Sequence, residues 1–116
     1  MKAGFGHVLD AITRVRGVHG AMLVAGEDGL VVAESLMEDI RGHAVAALAA
    51  SLYQRFRRAT QAAGVRRPEF LHLQAAGGSL LVVPALEGVL VVAVAAGDIN
   101  VGLARLEMIR AAEAMG

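Results

Sequence analysis

Histidine is the residue type in this sequence best suited to chemistry, because it can ligate a metal or carry a proton near neutral pH. The four histidines show no HxxxH or similar metal spacing, and each falls in a different predicted element: His7, His19, His43 and His72. Metal sites of the common kinds bring their ligands together in such short spacings. The sequence therefore predicts no metal site, and only convergence of distant histidines in space is left open.

Serines and glycines form no catalytic motif either. Ser35, Ser51 and Ser79 lie outside any GxSxG sequence, which is the nucleophile elbow of many hydrolases. Gly77 and Gly78 precede a serine but lack the following Lys-Ser or Lys-Thr of a phosphate-binding loop, so we interpret them as a hairpin turn. We predict no intrinsic active site, no nucleotide binding and no cofactor.

Two pairs of neighbouring acids, Glu27-Asp28 and Glu38-Asp39, resemble acid–base pairs. Such catalysis requires two carboxyl groups in different environments, and a surface turn does not provide them. We interpret the first pair as turn residues and the second as helix-capping residues.

The composition sets wide limits on the function. The chain has 116 residues, 56% of them hydrophobic, with eleven basic and eleven acidic residues and no cysteine. This length predicts one domain over residues 1–116, and zero net charge argues against nucleic-acid binding. The first residues reach Asp10 and Arg14 before a long apolar run forms, so we expect neither a signal peptide nor a membrane span, and a cytoplasmic protein.

The elements that would position functional residues centre on one hairpin, Gly17–Ser35. Asp28-Gly29 is the dipeptide best able to form a two-residue type I′ loop. This register places Val24 opposite Ala33. Both faces of the hairpin are then apolar, so we predict that other elements cover it on both sides.

A long helix is predicted after the hairpin, from the capping candidate Asp39 to Gly64. The stripe expected against the sheet consists of Val45, Leu48, Leu52, Phe56, Ala59 and Ala63. The opposite face carries small residues and then a polar, basic end: Ala46, Ala47, Ala50, Gln54, Arg57 and Arg58. Alanine is the best helix former, which is one explanation of this face. The other is that small side chains let a second helix approach, so that the face binds a partner.

The next segment, Glu69–Gln74, is predicted to be an edge strand, because Pro68 precedes it and polar residues interrupt it. An edge presents unpaired backbone groups, and pairing with the same edge of a second chain would satisfy them. We therefore predict a homodimer through the strand residues Phe70, Leu71, His72, Leu73 and Gln74.

Two strands rich in leucine and valine, Ser79–Val83 and Val89–Val94, should lie centrally in the sheet. Asp98 or Asn100 can cap a last helix, whose apolar stripe is Leu103, Leu106, Ile109 and Ala112. With a short first helix over residues 3–16, the order is α-β-β-α-β-β-β-α. This order predicts an α+β sandwich with a five-stranded, mostly antiparallel sheet and helices on both faces.

These segments together resemble the Roadblock and dynein-light-chain family, in a minimal prokaryotic form. The resemblance rests on Gly17, Val18 and Gly20 before the first strand, on Asp28-Gly29, and on Asn100, Gly102, Leu103 and Arg105 at the last helix. It implies a profilin-like sandwich and dimers that pair third strands and pack second helices together. It also implies subunits of dynein, scaffolds for Ras-like GTPases, or bacterial regulators of small GTPases for motility and polarity. No catalytic residue is implied.

Six arginines could reach into the active site of a partner GTPase and stabilise transition-state charge: Arg41, Arg55, Arg57, Arg58, Arg66 and Arg67. A solvated helix end and loop explain the same residues. Three functions are therefore considered: a homodimeric module that binds and regulates a Ras-like GTPase, a purely structural light-chain-type subunit, and a small-ligand sensor with a pocket between helix and sheet.

Overall fold

The computed structural model describes residues 2–115, with side chains from Gly6 onward. It contains one five-stranded sheet in which all neighbouring strands are antiparallel, in the order β2-β1-β5-β4-β3. The elements are α1 (Lys2–Thr13), β1 (Val18–Ala25), β2 (Val31–Leu36), α2 (Gly42–Ala62), β3 (Leu71–Ala75), β4 (Gly78–Pro84), a 3-10 turn (Leu86–Gly88), β5 (Val89–Ala95) and α3 (Val101–Met115). The predicted fold class and element order are confirmed.

The sheet separates two apolar cores. Helices α1 and α3 cover one face, where Leu9, Ile12 and Met108 pack on Leu23 and Leu81. Helix α2 covers the other face, where its alanines and Tyr53 pack on a second set of strand residues: Met22, Val24, Val82, Leu90 and Val92. Strands β1 and β5 are buried on both faces, as their continuous apolar sequences predict.

The predicted register of the first hairpin is wrong. Val24 pairs with Val31 and Leu23 pairs with Ala33, and a bulge between these two pairs leaves Val32 without a partner. The loop therefore runs from residue 26 to residue 30 instead of over two residues. Its first residue, Gly26, is held by the β4–β5 connection, because its N–H donates to the carbonyl of Gly88 at 2.7 Å.

The bulge changes which residues of β2 are covered. Val24 and Val31 pack in the α2 core, but Ala33 packs with Leu23 on the opposite face. Leu30 and Val32 remain 63% and 45% exposed. The prediction of a hairpin covered on both faces thus holds for β1 and fails for β2, which forms one edge of the sheet.

Both long helices are rotated relative to the predicted stripes. The buried residues of α2 are Ala46, Ala49, Ala50 and Tyr53, whereas Leu48 and Phe56 of the predicted stripe are about half exposed. In α3 the buried residues are Ala104, Met108, Ala111 and Ala112, whereas Leu103 and Leu106 are each 43% exposed. The strands already fill both cores with large side chains, so each helix presents small residues that allow close approach.

The helix ends agree only in part with the predicted caps. Asp39 does not cap α2, because Arg41 occupies the N-cap position without a side-chain hydrogen bond. Gly64 follows the C-cap residue Ala63 and has a φ of 76°, as expected of a glycine that ends a helix. At α3, Asn100 is the cap, because its Oδ1 accepts a hydrogen bond from the N–H of Leu103 at 3.0 Å.

We expect Asn100→Ala to lower the free energy of unfolding by about 1 kcal/mol, because the N–H of Leu103 loses its acceptor. Urea unfolding monitored by circular dichroism measures this change. Asp98→Ala is the matched control, since Asp98 is the alternative cap and is exposed; it should change the same quantity by less than about 0.5 kcal/mol. Equal losses in the two variants would contradict the assignment of the cap.

Candidate functional site

Strand β3 forms the second edge of the sheet and carries the predicted dimer residues. It pairs with β4 through a two-residue loop, with Ala75 opposite Gly78, Leu73 opposite Leu80 and Leu71 opposite Val82. Hydrogen-bonded pairs alternate with non-bonded ones along an antiparallel ladder, and the pair flanking a two-residue loop is bonded. The backbone N–H and C=O groups of His72 and Gln74 therefore point away from β4, toward the open edge.

The two edges of the sheet differ in how they are protected. Edge strand β2 is interrupted by a bulge and carries Glu34, and both features discourage pairing with another strand. Edge strand β3 has a regular register, and its sequence, LHLQA, contains no charge and no proline. Of the two edges, β3 is thus the one suited to pair with a strand of another chain.

Three side chains hold the edge strand in place on the α1 and α3 side. The Nε2 atom of His72 lies 3.4 Å from the Oγ of Ser79. The side-chain amide of Gln74 donates to the carbonyl of Gly97 at 3.3 Å, and the guanidinium of Arg105 lies 4.8 Å from the ring centre of Phe70. These contacts fix the position of the edge strand relative to the rest of the sheet. Phe70 precedes the strand and packs against the α1–α3 core.

Helix α2 exposes an apolar flank, which we define as Leu48, Leu52 and Phe56. Leu48 and Phe56 are 50% and 48% exposed, and Leu52 is half-buried. The other flank meets the β1–β2 loop, where the side-chain amide of Gln54 donates to the carbonyl of Gly26 at 2.9 Å. The apolar flank therefore lies on the side of α2 away from that loop.

Two leucines of β3 and β4 lie on the same face of the sheet as α2. Helix α2 packs mainly on β1, β2 and β5. On the same face of the sheet, Leu80 of β4 is half-buried and its partner Leu73 of β3 is 50% exposed. The apolar flank of α2 and the open edge of β3 thus belong to one side of the molecule.

The prediction that six residues of α2 form one continuous exposed face for a partner is wrong. Ala46 and Ala50 are 0% and 5% exposed because they pack on the sheet. Gln54 is engaged with the β1–β2 loop, so only Ala47, Arg57 and Arg58 of the six predicted residues are exposed. The sequence does carry a signal for the exposed surface, the stripe of Leu48, Leu52 and Phe56, but helical periodicity assigns this stripe to the core.

Catalytic chemistry finds little support in the described residues. Within residues 6–115, no three histidine, aspartate or glutamate side chains approach closely enough to hold a metal ion. His72 and Ser79 form an imidazole–hydroxyl contact like that of a serine hydrolase, but Ser79 is buried, with only 6% of its surface exposed. Among the helices of residues 2–115, none is long and apolar enough to cross a membrane.

The fold and the open edge define a small α+β interaction domain, and a comparison with known families identifies it. The model of the Roadblock/LC7 domain matches residues 5–95, and the chain belongs to this family. A relative of similar length is the uncharacterized protein MJ0714 of Methanocaldococcus jannaschii. It is 37% identical over 106 residues, which cover 91% of this chain and 88% of the relative.

Solved structures agree with this assignment. MglB of Myxococcus xanthus is similar to this chain with a TM-score of 0.88 and 18% identity, over 98% of this chain and 86% of that chain. An MglB with a tetrameric arrangement has a TM-score of 0.84 and 26% identity, over 97% and 88% of the two chains. Schizosaccharomyces pombe profilin has a TM-score of 0.64 and 13% identity, over 98% and 94%. The predicted Roadblock-like and profilin-like fold is confirmed.

Proposed function

We propose that this protein is a non-catalytic homodimeric module that binds a small Ras-like GTPase and regulates it, either by stimulating hydrolysis or by acting as a scaffold. The observation that carries this proposal is the pairing of an uncharged, open β3 edge with an exposed apolar flank on α2. Membership of the Roadblock/LC7 family supports it, since the family resemblance implies adaptors and regulators of such GTPases.

The open edge supports the proposed dimer. Two antiparallel β3 strands related by a two-fold axis would satisfy the outward backbone groups of His72 and Gln74 and would continue the sheet from one chain into the next. The same axis would bring the two apolar flanks together and bury Leu48 and Phe56. Leu73 adds to this interface from the sheet.

The GTPase surface would then be formed by both protomers. Arg57 and Arg58 are exposed near the C-terminal end of α2 and, within residues 6–115, lie within 4.0 Å of no carboxylate oxygen. In the dimer each α2 would contribute one such basic end. These arginines could contact an acidic switch region of a GTPase, or one of them could stabilise charge in its transition state.

Titration against purified Ras-like GTPases encoded in the same genome tests this function. We expect one of them to bind the wild-type dimer with different affinities in its GTP and GDP states. Arg57→Glu with Arg58→Glu should weaken this binding at least about tenfold without changing the dimer, because exposed charges at an interface govern association. Arg110→Glu on α3 is the control. No binding to any of these GTPases would contradict the proposal.

Single-turnover GTP hydrolysis separates the two modes of regulation. A regulator that activates hydrolysis should raise the rate constant of the bound GTPase, and a scaffold should leave it unchanged. The light-chain-type alternative predicts neither a nucleotide-dependent affinity nor a change in rate.

The edge pairing makes a separate prediction for His72→Pro. Proline removes the N–H that points to the open edge, and the change occurs twice in a symmetric dimer. Losing two hydrogen bonds of about 1 kcal/mol each should raise the dimer dissociation constant roughly thirtyfold. Light scattering after size exclusion measures the shift from twice 12.0 kDa toward a single chain.

His72→Ala is the matched control for this change. It removes the imidazole and its contact with Ser79 but keeps the backbone donor. It should leave the dimer intact. A monomeric wild type, or equal weakening in both variants, would contradict pairing through the edge.

A further inference from the structure

A cavity of about 630 Å³ that is widely open to solvent lies between α3, the connection from α2 to β3 and the connection from β4 to β5. Its apolar walls include Val83, Pro84 and Ile109, and the exposed Leu86 also lines it. A volume of this size is typical of sites that bind small organic molecules. The open edge of β3 and the apolar flank of α2 do not line it.

Three guanidinium groups line the same cavity, from Arg66, Arg67 and Arg105. Within residues 6–115 none of them has a carboxylate oxygen within 4.0 Å. The lining also contains Glu69 and Glu113, so its formal charge is three minus two, or +1. A fourth guanidinium, that of Arg57, shares an adjoining cleft with Arg66 and Arg67 and adds to the positive potential on that side.

Arg105 is positioned before any ligand arrives. Its guanidinium carbon lies over the Phe70 ring, 4.8 Å from the ring centre, and this cation–π contact favours one placement of the side chain. A preorganised arginine loses less side-chain freedom when it binds a carboxylate or phosphate in a bidentate manner.

We propose that this cavity binds an amphipathic organic anion, whose apolar body contacts Val83, Pro84 and Ile109 and whose carboxylate or phosphate head lies between Arg105 and the pair Arg66 and Arg67. The site does not rest on the proposed GTPase function, because neither Arg57 nor Arg58, the arginines placed at the GTPase surface, lines the cavity. The three arginines come from two segments distant in the sequence, so the sequence analysis assigned Arg66 and Arg67 to a solvated helix end and loop and did not group Arg105 with them.

The proposal is tested by titrating the wild-type protein with four probes. Binding is measured by calorimetry and by amide chemical shifts in NMR spectra. The probes are octanoate, octyl phosphate, octanol and inorganic phosphate. We expect at least one of the two amphipathic anions to bind once per chain and to shift the amides around Ile109 and Arg105. Octanol lacks the anionic head, and inorganic phosphate lacks the apolar body. Each should therefore bind at least about tenfold more weakly than the amphipathic anions.

Two variants of α3 provide the matched comparison. Arg105→Gln removes the stacked guanidinium and should weaken binding of the anion at least about tenfold. Arg110→Gln removes an arginine of the same helix that pairs with Glu107 and does not line the cavity, so it should change the affinity less than about twofold. Both residues are exposed, so both variants are expected to fold, and circular dichroism checks this.

Preference for octanoate would identify a carboxylate ligand, and preference for octyl phosphate a phosphate ester. Three results would overturn the proposal: octanol binding as tightly as the anions, equal effects of the two substitutions, or no binding of either anion at about 5 mM, a concentration that detects even millimolar affinity.

Discussion

Leu48→Glu is expected to convert the dimer into a folded monomer. Leu48 is 50% exposed in the single chain, and the proposed interface would bury it in both protomers. Complete burial of an exposed leucine contributes about 1.5–3 kcal/mol, so the exposed half of Leu48 contributes about half of this, and two copies contribute about 1.5–3 kcal/mol to association. The dimer dissociation constant should therefore rise at least about tenfold, and a charge in the interface adds to this effect.

Leu106→Glu is the control for this prediction. Leu106 is 43% exposed, and its variant introduces the same leucine-to-glutamate change. Leu106 lies on α3, on the other side of the sheet. It should leave the dimer unchanged in analytical ultracentrifugation. A variant at Leu106 that dissociates while the variant at Leu48 stays dimeric would place the interface on the α1–α3 side and would contradict the proposed arrangement.

The monomeric Leu48→Glu variant also separates the two proposals of function. If GTPase binding needs both α2 helices, the variant should lose it together with the dimer. The cavity beneath α3 is complete within one chain, so the variant should keep its affinity for octanoate or octyl phosphate. Loss of both activities in a variant that remains folded would contradict their independence.

The strand order shows how far the sequence could be interpreted. Glycines and prolines separate the strands, and the unbroken valine and leucine runs of β4 and β5 correctly predicted a central position. The edge position of β3 followed from the proline before it and the polar residues within it. These signals are local, because they concern the hydrogen bonds and the coverage of one strand at a time.

The helix faces could not be predicted in the same way. A helical stripe of large apolar residues ordinarily predicts the buried face, and Val45, Leu48, Leu52 and Phe56 form such a stripe. The structure instead buries the alanines, because Met22 and Leu90 already fill that side of the sheet. Which stripe packs inward depends on the volume that the strands supply, and this is a tertiary property.

The register of the first hairpin was missed for a related reason. Asp28-Gly29 is the strongest local signal for a two-residue loop. In the folded chain, the Cα of Ala47 lies 3.1 Å from where a Cβ of Gly29 would be, so α2 packs directly on this loop. Gly26 is bonded to a second loop, at Gly88. Contacts with distant segments thus override the local preference of the loop. The arginines of the cavity could not be grouped from the sequence either, because only the fold brings their two segments together.

Ala46→Glu is expected to abolish cooperative folding. Ala46 is 0% exposed and packs with Val24 and Val92 between α2 and the sheet. A carboxylate at this position would be buried without a partner, and its side chain would also exceed the available volume. We expect the free energy of unfolding to fall by about 4 kcal/mol or more, which is a large part of the stability of a domain of this size.

Ala44→Glu is the matched control, since Ala44 lies on the same helix and is exposed. It should leave the free energy of unfolding, measured with urea, within about 0.5 kcal/mol of the wild type. The two possible roles of the alanine face predict different results for Ala46→Glu. If this face packs on the sheet, Ala46→Glu loses its native circular dichroism and its unfolding transition at any protein concentration. A folded but monomeric Ala46→Glu variant would instead place the alanines in a helix–helix interface and would contradict the packing of α2 described above.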